Sequence, residues 1–155
     1  MMQFKRRHTT AVLHVGTDLV SVSDVEQSIV RFGDRYLRRV YSAGELTTCV
    51  GPDGAPVACR LAARFAAKEA TVKALRPSIG LAYTDIELVT DIVGVPTMKF
   101  SGLALSWFES LSVSSCSVSV AHEGDLASAV FVASTSTDTA KCRSDRRRRC
   151  KGGTK

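Results

Sequence analysis

The stretch Val57-Ala-Cys-Arg-Leu-Ala-Ala-Arg-Phe-Ala-Ala-Lys-Glu-Ala-Thr-Val-Lys-Ala-Leu75 is the strongest helix signal in the chain. Wound at about 100° per residue, Val57, Leu61, Phe65, Val72 and Leu75 share an arc of about 80°. Ala63, Ala67, Ala70 and Ala74 form a second face, small enough to let another backbone approach. Glu69, Lys73 and Arg76 fall in a strip about 60° wide beside the first arc. The helix is therefore expected to pack on two sides and to carry charge at a seam. Lys68 points into the apolar arc. The simplest account is a long stem lying along the core with its ammonium reaching water.

Working outward, Ala11-Val-Leu-His-Val15 reads as a buried first strand running into Gly16-Thr-Asp-Leu-Val-Ser-Val22. Ser23 and Asp24 are candidate caps of a helix ending near Phe32-Gly33. A short helix is expected over about residues 34–41, and Ser42-Ala-Gly-Glu45 fits a capping box. Gly51-Pro-Asp-Gly-Ala-Pro56 is a loop. After the long helix, residues 84–90 and 96–100 alternate like strands joined around Gly94, and residues 102–111 look helical. Residues 116–120 and 126–132 form a hairpin with Ala121-His-Glu-Gly-Asp125 at its tip. The order β-α-α-α-β-β-α-β-β predicts an α+β fold, an antiparallel sheet packed on one long helix.

Composition agrees with one domain. Of 155 residues, 45% are apolar and 23% charged, ordinary for a globular chain. No run of eighteen apolar residues exists, so no membrane span is expected. The basic start, Met1 to Thr10, lacks the apolar run of a signal peptide. The net charge of +6 is misleading, because residues 141–155 alone carry eight Lys and Arg against Asp145. The remainder is close to neutral, which argues against a fold built to bind nucleic acid. The reading divides the chain into a basic extension (1–10), a folded domain (11–134) and a mobile basic tail (135–155). Five cysteines, Cys49, Cys59, Cys116, Cys142 and Cys150, have neither zinc spacing nor an even count. Free thiols in a reducing cytoplasm are expected.

Three polar groups stand out, each with an ordinary reading. Asp18 follows the first strand, where an aspartate commonly serves a turn. Glu69 and Lys73 form the i,i+4 pair that stabilises many helices. His122 sits at a strand end, where a lone histidine is more often solvated than catalytic.

Together these residues resemble a known family. Gly16-Thr-Asp18 resembles the N-terminal Gly-Ile-Asp motif of the holo-acyl-carrier-protein synthases, the small 4′-phosphopantetheinyl transferases. Arg64-Phe-Ala-Ala-Lys-Glu69-Ala-Thr-Val-Lys73-Ala-Leu75 is similar to their signature helix. Tyr41-Ser-Ala-Gly-Glu45 resembles their aromatic-Thr-x-x-Glu element. Asp85-Ile-Glu-Leu-Val89 with Gly94-Val-Pro96 resembles their central hairpin, and Ser117 to Asp125 their closing Ser-x-Ser-His segment. The motifs occur in family order over about residues 11–133.

The resemblance implies transfer of the phosphopantetheine arm of coenzyme A to a serine of an apo acyl carrier protein, releasing 3′,5′-ADP. It implies Mg²⁺ on Asp18 and Glu69, with Glu69 or a water beside it as proton acceptor. It places Lys73 at the phosphates, and Arg64 and His122 towards the 3′-phosphate of coenzyme A. It also implies a homotrimer with the active site between subunits. Four positions depart from the family pattern: Ser21 and Asp24 stand where relatives usually carry an acidic residue and often an arginine, Val95 where they carry a basic residue, and Ala121 where they carry Ser or Thr. Arg31, Arg35, Arg38 and Arg39 are then the candidate docking surface for an acidic carrier. Two alternatives stay open: a catalytically weak relative that binds coenzyme A or carrier protein, and a polyanion binder acting through its tail.

Overall fold

The computed structural model describes residues 10–78 and 80–137. Strand β1 (Thr10–Ser21) leads into helices α1 (Val22–Phe32), α2 (Asp34–Val40) and α3 (Ala43–Thr48). The long helix α4 (Ala58–Leu75) follows. After a 3₁₀ turn at Tyr83–Asp85 come β2 (Ile86–Thr90), β3 (Pro96–Phe100), α5 (Gly102–Ser110), β4 (Val113–Glu123) and β5 (Leu126–Thr137). The expected α+β class is the observed one, with all pairings antiparallel. The strands divide into a three-stranded sheet, β1-β5-β4, and a separate β2-β3 hairpin.

α4 lies on the inner face of the larger sheet. Its C-terminal half packs Ala66, Ala67, Ala70, Ala74 and Leu75 against Phe131, Ala129, Val118, Ile86 and Met98. Its N-terminal half packs Leu61, Ala62 and Ala63 against Val25 of α1, Leu37 and Val40 of α2, and Tyr41 at the end of α2. The alanine face, rather than the arc of large residues, is thus the deepest part of the helix, and Phe65 and Val72 are only half-buried. Small side chains let the sheet come close: a Cβ added at Gly16 would overlap the Ala70 carbonyl oxygen and fall 2.7 Å from Ala74 N. β1 crosses α4 backbone against backbone.

Several boundaries differ from the sequence reading. α1 is capped by Ser21, whose hydroxyl accepts from Asp24 N at 3.1 Å. Ser23 and Asp24 lie inside the helix, because β1 stays paired with β5 up to Ser21 and Leu126. The capping box at Ser42 and Glu45 forms as expected. His122 and Glu123 belong to β4, paired with Ala127 and Leu126, so only Gly124 and Asp125 make the tip. β5 continues to Thr137, three residues past the expected domain edge, and pairs there with the start of β1. Residues 1–9 and 138–155, which hold most of both basic extensions, lie outside the described residues. Among the described residues, Cys49, Cys59 and Cys116 form no disulfide, and Cys142 and Cys150 lie outside them.

Lys68 overturns its expectation. Its side chain does not reach water: it is fully buried, as is Glu45, and the two pair at 2.7 Å. Lys68 also donates to the carbonyls of Tyr83 at 2.8 Å and Ile86 at 2.5 Å. Burial pushes the lysine below its ordinary range while the Glu45 carboxylate opposes that shift. A buried ammonium is tolerable only when paired and hydrogen-bonded in this way. Glu45 meanwhile accepts from Ser42 N at 2.9 Å and Leu88 N at 3.1 Å. One carboxylate therefore joins α3, α4 and β2.

Candidate active site

Even-numbered residues of β1 face α4, so strand alternation carries Asp18 inward two residues beyond Gly16. The close crossing at Gly16 brings it against the charged flank of α4. Lys73 Nζ donates to Asp18 Oδ1 at 2.6 Å, with the lysine side chain 52% exposed and the aspartate 12%. That hydrogen bond, followed by the charges of Asp18 and Glu69, holds the Lys73 ammonium above the ordinary lysine range.

Glu69 stands one turn earlier on the same flank. Its Oε1 accepts the phenol proton of Tyr83, the one hydrogen bond its carboxylate takes among the described residues. Burial and the bond to Glu69 both push the Tyr83 phenol well above its ordinary range. The Tyr83 ring stacks on Phe65, centroids 5.8 Å apart and planes 26° off parallel. Asp18 and Glu69 line one open cleft of about 400 Å³ with Phe65, Tyr36 and the α1 residues Asp24, Val25 and Ser28.

The start of α1 is fixed by the neighbouring β4–β5 tip. Asp125 accepts from Ser23 N at 2.7 Å, from Ser23 Oγ at 3.0 Å and from Ser21 Oγ at 3.1 Å. These bonds, the backbone one foremost, hold the Asp125 carboxyl below its ordinary range. Ser21, where the family pattern has an acid, here serves as the cap that this lock needs.

The structure therefore brings together Asp18, Glu69 and Lys73. It does not bring Arg64 or His122 to them within the chain. Arg64 lies on the other side of α4, donating to Arg60 O and to Thr48 Oγ1 at 3.2 Å each, with its Nε buried and unpartnered. His122 lines a separate depression with Leu19, Ala121, Glu123, Leu126 and Ser128. Sequence reasoning missed Tyr83, Asp125 and the Glu45–Lys68 pair. Only Lys68 left a signal, a charge inside an apolar arc.

Among the described residues no three carboxylate, imidazole or thiol groups converge as a metal cage. Asp18 and Glu69 still suit a hard cation, which is commonly held by one or two protein carboxylates with substrate phosphates and water.

Comparison with known proteins agrees with this geometry. Residues 14–131 match the model of the 4′-phosphopantetheinyl transferase superfamily. A holo-[acyl-carrier-protein] synthase of Chloroflexus aggregans is 41% identical over 138 residues, covering 79% of this chain and 95% of that protein. Its counterpart from Koribacter versatilis is 40% identical over 113 residues, covering 72% and 89%. Among solved structures, the holo-[acyl-carrier-protein] synthase of Neisseria meningitidis superposes with a TM-score of 0.68 at 33% identity, covering 77% of this chain and 96% of that one. The ACPS–CoA complex named for Chronobacterium ammoniagenes gives 0.70 at 28% identity, covering 79% and 96%. The chain belongs to the 4′-phosphopantetheinyl transferase superfamily and is an enzyme of its holo-[acyl-carrier-protein] synthase type.

Proposed function

We propose that the chain transfers the 4′-phosphopantetheine arm of coenzyme A to a serine of an apo acyl carrier protein, with Mg²⁺, in the cytoplasm. The serine Oγ forms a bond to the β-phosphorus, the bond from that phosphorus to the bridging oxygen breaks, and 3′,5′-ADP leaves. The observation that carries the reading is that Asp18 and Glu69 line one cleft, with Lys73 paired to Asp18 at 2.6 Å.

Asp18 and Glu69 would hold the cation, which when bound supplies neutralisation of the pyrophosphate charge. Glu69 keeps one oxygen on Tyr83 and would offer Oε2 to the cation, so that a water beside the carboxylate takes the serine proton. Lys73 is half exposed and its one side-chain partner among the described residues is Asp18. It can turn to the phosphates once Asp18 has another cationic partner, and there stabilise the charge that grows on the leaving group. Phosphoryl transfer is mostly positioning and charge stabilisation, so these residues suffice without a covalent intermediate.

Arg64 and His122 are assigned to the 3′-phosphate of coenzyme A across a subunit boundary. Their separation from the cleft within one chain supports a site completed by a neighbour. The outer sheet face supports it too: Leu13, Val15 and Leu19 are 67%, 58% and 64% exposed in a row along β1. A homotrimer would cover that face. Arg31, Arg35, Arg38 and Arg39 are all exposed and would meet the acidic carrier.

The test is to incubate the protein with coenzyme A, Mg²⁺ and an apo carrier and weigh the carrier. A phosphopantetheine mass gain at catalytic enzyme concentration is expected. Asp18→Ala and Glu69→Ala should each lower turnover by several orders of magnitude without unfolding the chain. Near-normal turnover in either would remove the metal assignment, and no gain with wild type would leave a binding protein.

A further inference from the structure

Tyr83 is held at three points. Its ring lies on Phe65, its carbonyl accepts from the buried Lys68 ammonium, and its phenol donates to Glu69 Oε1. Lys68 itself cannot drift, since it is also bound to Ile86 O and paired with Glu45. The turn that carries Tyr83 is thereby clamped to the helix that carries Glu69, fourteen residues earlier in the chain.

We infer that Tyr83 is a positioning residue for the metal-binding carboxylate: its phenol fixes the Glu69 carboxylate so that the second oxygen faces the cleft. The inference rests on the reading of Asp18 and Glu69 as cation ligands. The physical reason is orientation. A glutamate on a helix flank turns about its terminal torsion, and a cation binding to it must first freeze that motion. A phenol already bonded to one oxygen removes the freedom beforehand. Partners of this kind, one step behind a metal ligand, typically change metal affinity or activity by about 10- to 100-fold. The competing account is that Tyr83 only fills space beside Phe65 and its hydroxyl takes the nearest acceptor.

Tyr83→Phe separates the two, because it keeps the ring and its stacking and deletes one oxygen. Mn²⁺ serves as the probe, its binding to the full chain with saturating coenzyme A present read by electron paramagnetic resonance, with Glu69→Gln as reference. The expected result is a Mn²⁺ Kd raised by about 10-fold, with the Mg²⁺ concentration for half-maximal turnover rising in parallel. At saturating Mg²⁺, kcat should stay within about 3-fold of wild type, and the thermal melt should be unchanged within about 2 °C. Equal Mn²⁺ affinity in folded Tyr83→Phe and wild type would overturn the inference. So would a large loss of kcat at saturating metal with unchanged affinity, since the phenol would then act on the reacting atoms. Wild type that binds no Mn²⁺, or binds it as well as Glu69→Gln does, would instead sink the ligand assignment and this inference with it.

Discussion

Lys68 and Glu45 form a buried pair that ties α3, α4, β2 and the Tyr83 turn together. Removing one member of a buried ion pair strands the other, which typically costs about 3–5 kcal/mol. Lys68→Met is expected to lose stability on that scale, measured by urea unfolding. Adding Glu45→Gln should recover part of the loss, because the remaining side chain is no longer charged. Recovery stays incomplete because Glu45 also serves Ser42 N and Leu88 N. Additive losses in the double mutant would show that the two residues do not act as a pair. At this scale the sequence was half legible. The i,i+4 spacing of Glu69 and Lys73 and the box at Ser42 are local patterns and could be read directly. The partners of Lys68 come from Glu45, Tyr83 and Ile86, which no helical wheel contains. Tyr83 was hidden for the same reason, since its bond to Glu69 depends on how the turn folds back.

Among the elements, the junction of β1, α1 and the β4–β5 tip is tied by one carboxylate. The lock makes a prediction about acid. Because Asp125 is held below its ordinary value of 3.8, the folded state binds its proton less readily than the unfolded chain. The resulting stability is fully present above that value and is lost as pH falls through the lower folded value. Melting temperature measured from about pH 5 down to about pH 2.5 should fall more steeply in wild type than in Asp125→Asn. Identical slopes would mean the bonds contribute nothing in solution. This junction also explains why Ser23 and Asp24 looked like caps. A cap is chosen by where the preceding strand lets go, and β1 is held to Ser21 by Leu126, far along the chain. The long helix suffered no such ambiguity, because its alanine and leucine periodicities lie within its own residues.

For the whole molecule, the expected trimer and the basic tail give the remaining predictions. A carboxylate placed on the exposed row of β1, as in Val15→Asp, should yield monomers by sedimentation. Turnover should fall by at least about 10-fold, since a split site depends on the neighbour. An active monomeric variant would place the whole site in one chain. Residues 141–155 concentrate charge without apolar periodicity. Truncation after Ala140 should leave kcat intact and lower kcat/KM for carrier by about 2- to 10-fold at low salt through slower encounter. The difference should vanish near about 0.3 M salt, where screening shortens the reach of the charge. One feature of the topology bears on how the enzyme is made. β1 precedes the other described elements, yet its one strand partner among the described residues is β5, with Asp18 opposite Ala129. While the ribosome is still producing α4, the strand that carries Asp18 has no ladder to join. Glu69 and Lys73 lie on a helix made well before β5, the strand that holds Asp18 in register. Pairings between such distant parts of a chain close slowly. The cleft is therefore expected to assemble late, and a chain lacking β5 would hold Asp18, Glu69 and Lys73 without the ladder that sets β1 beside α4.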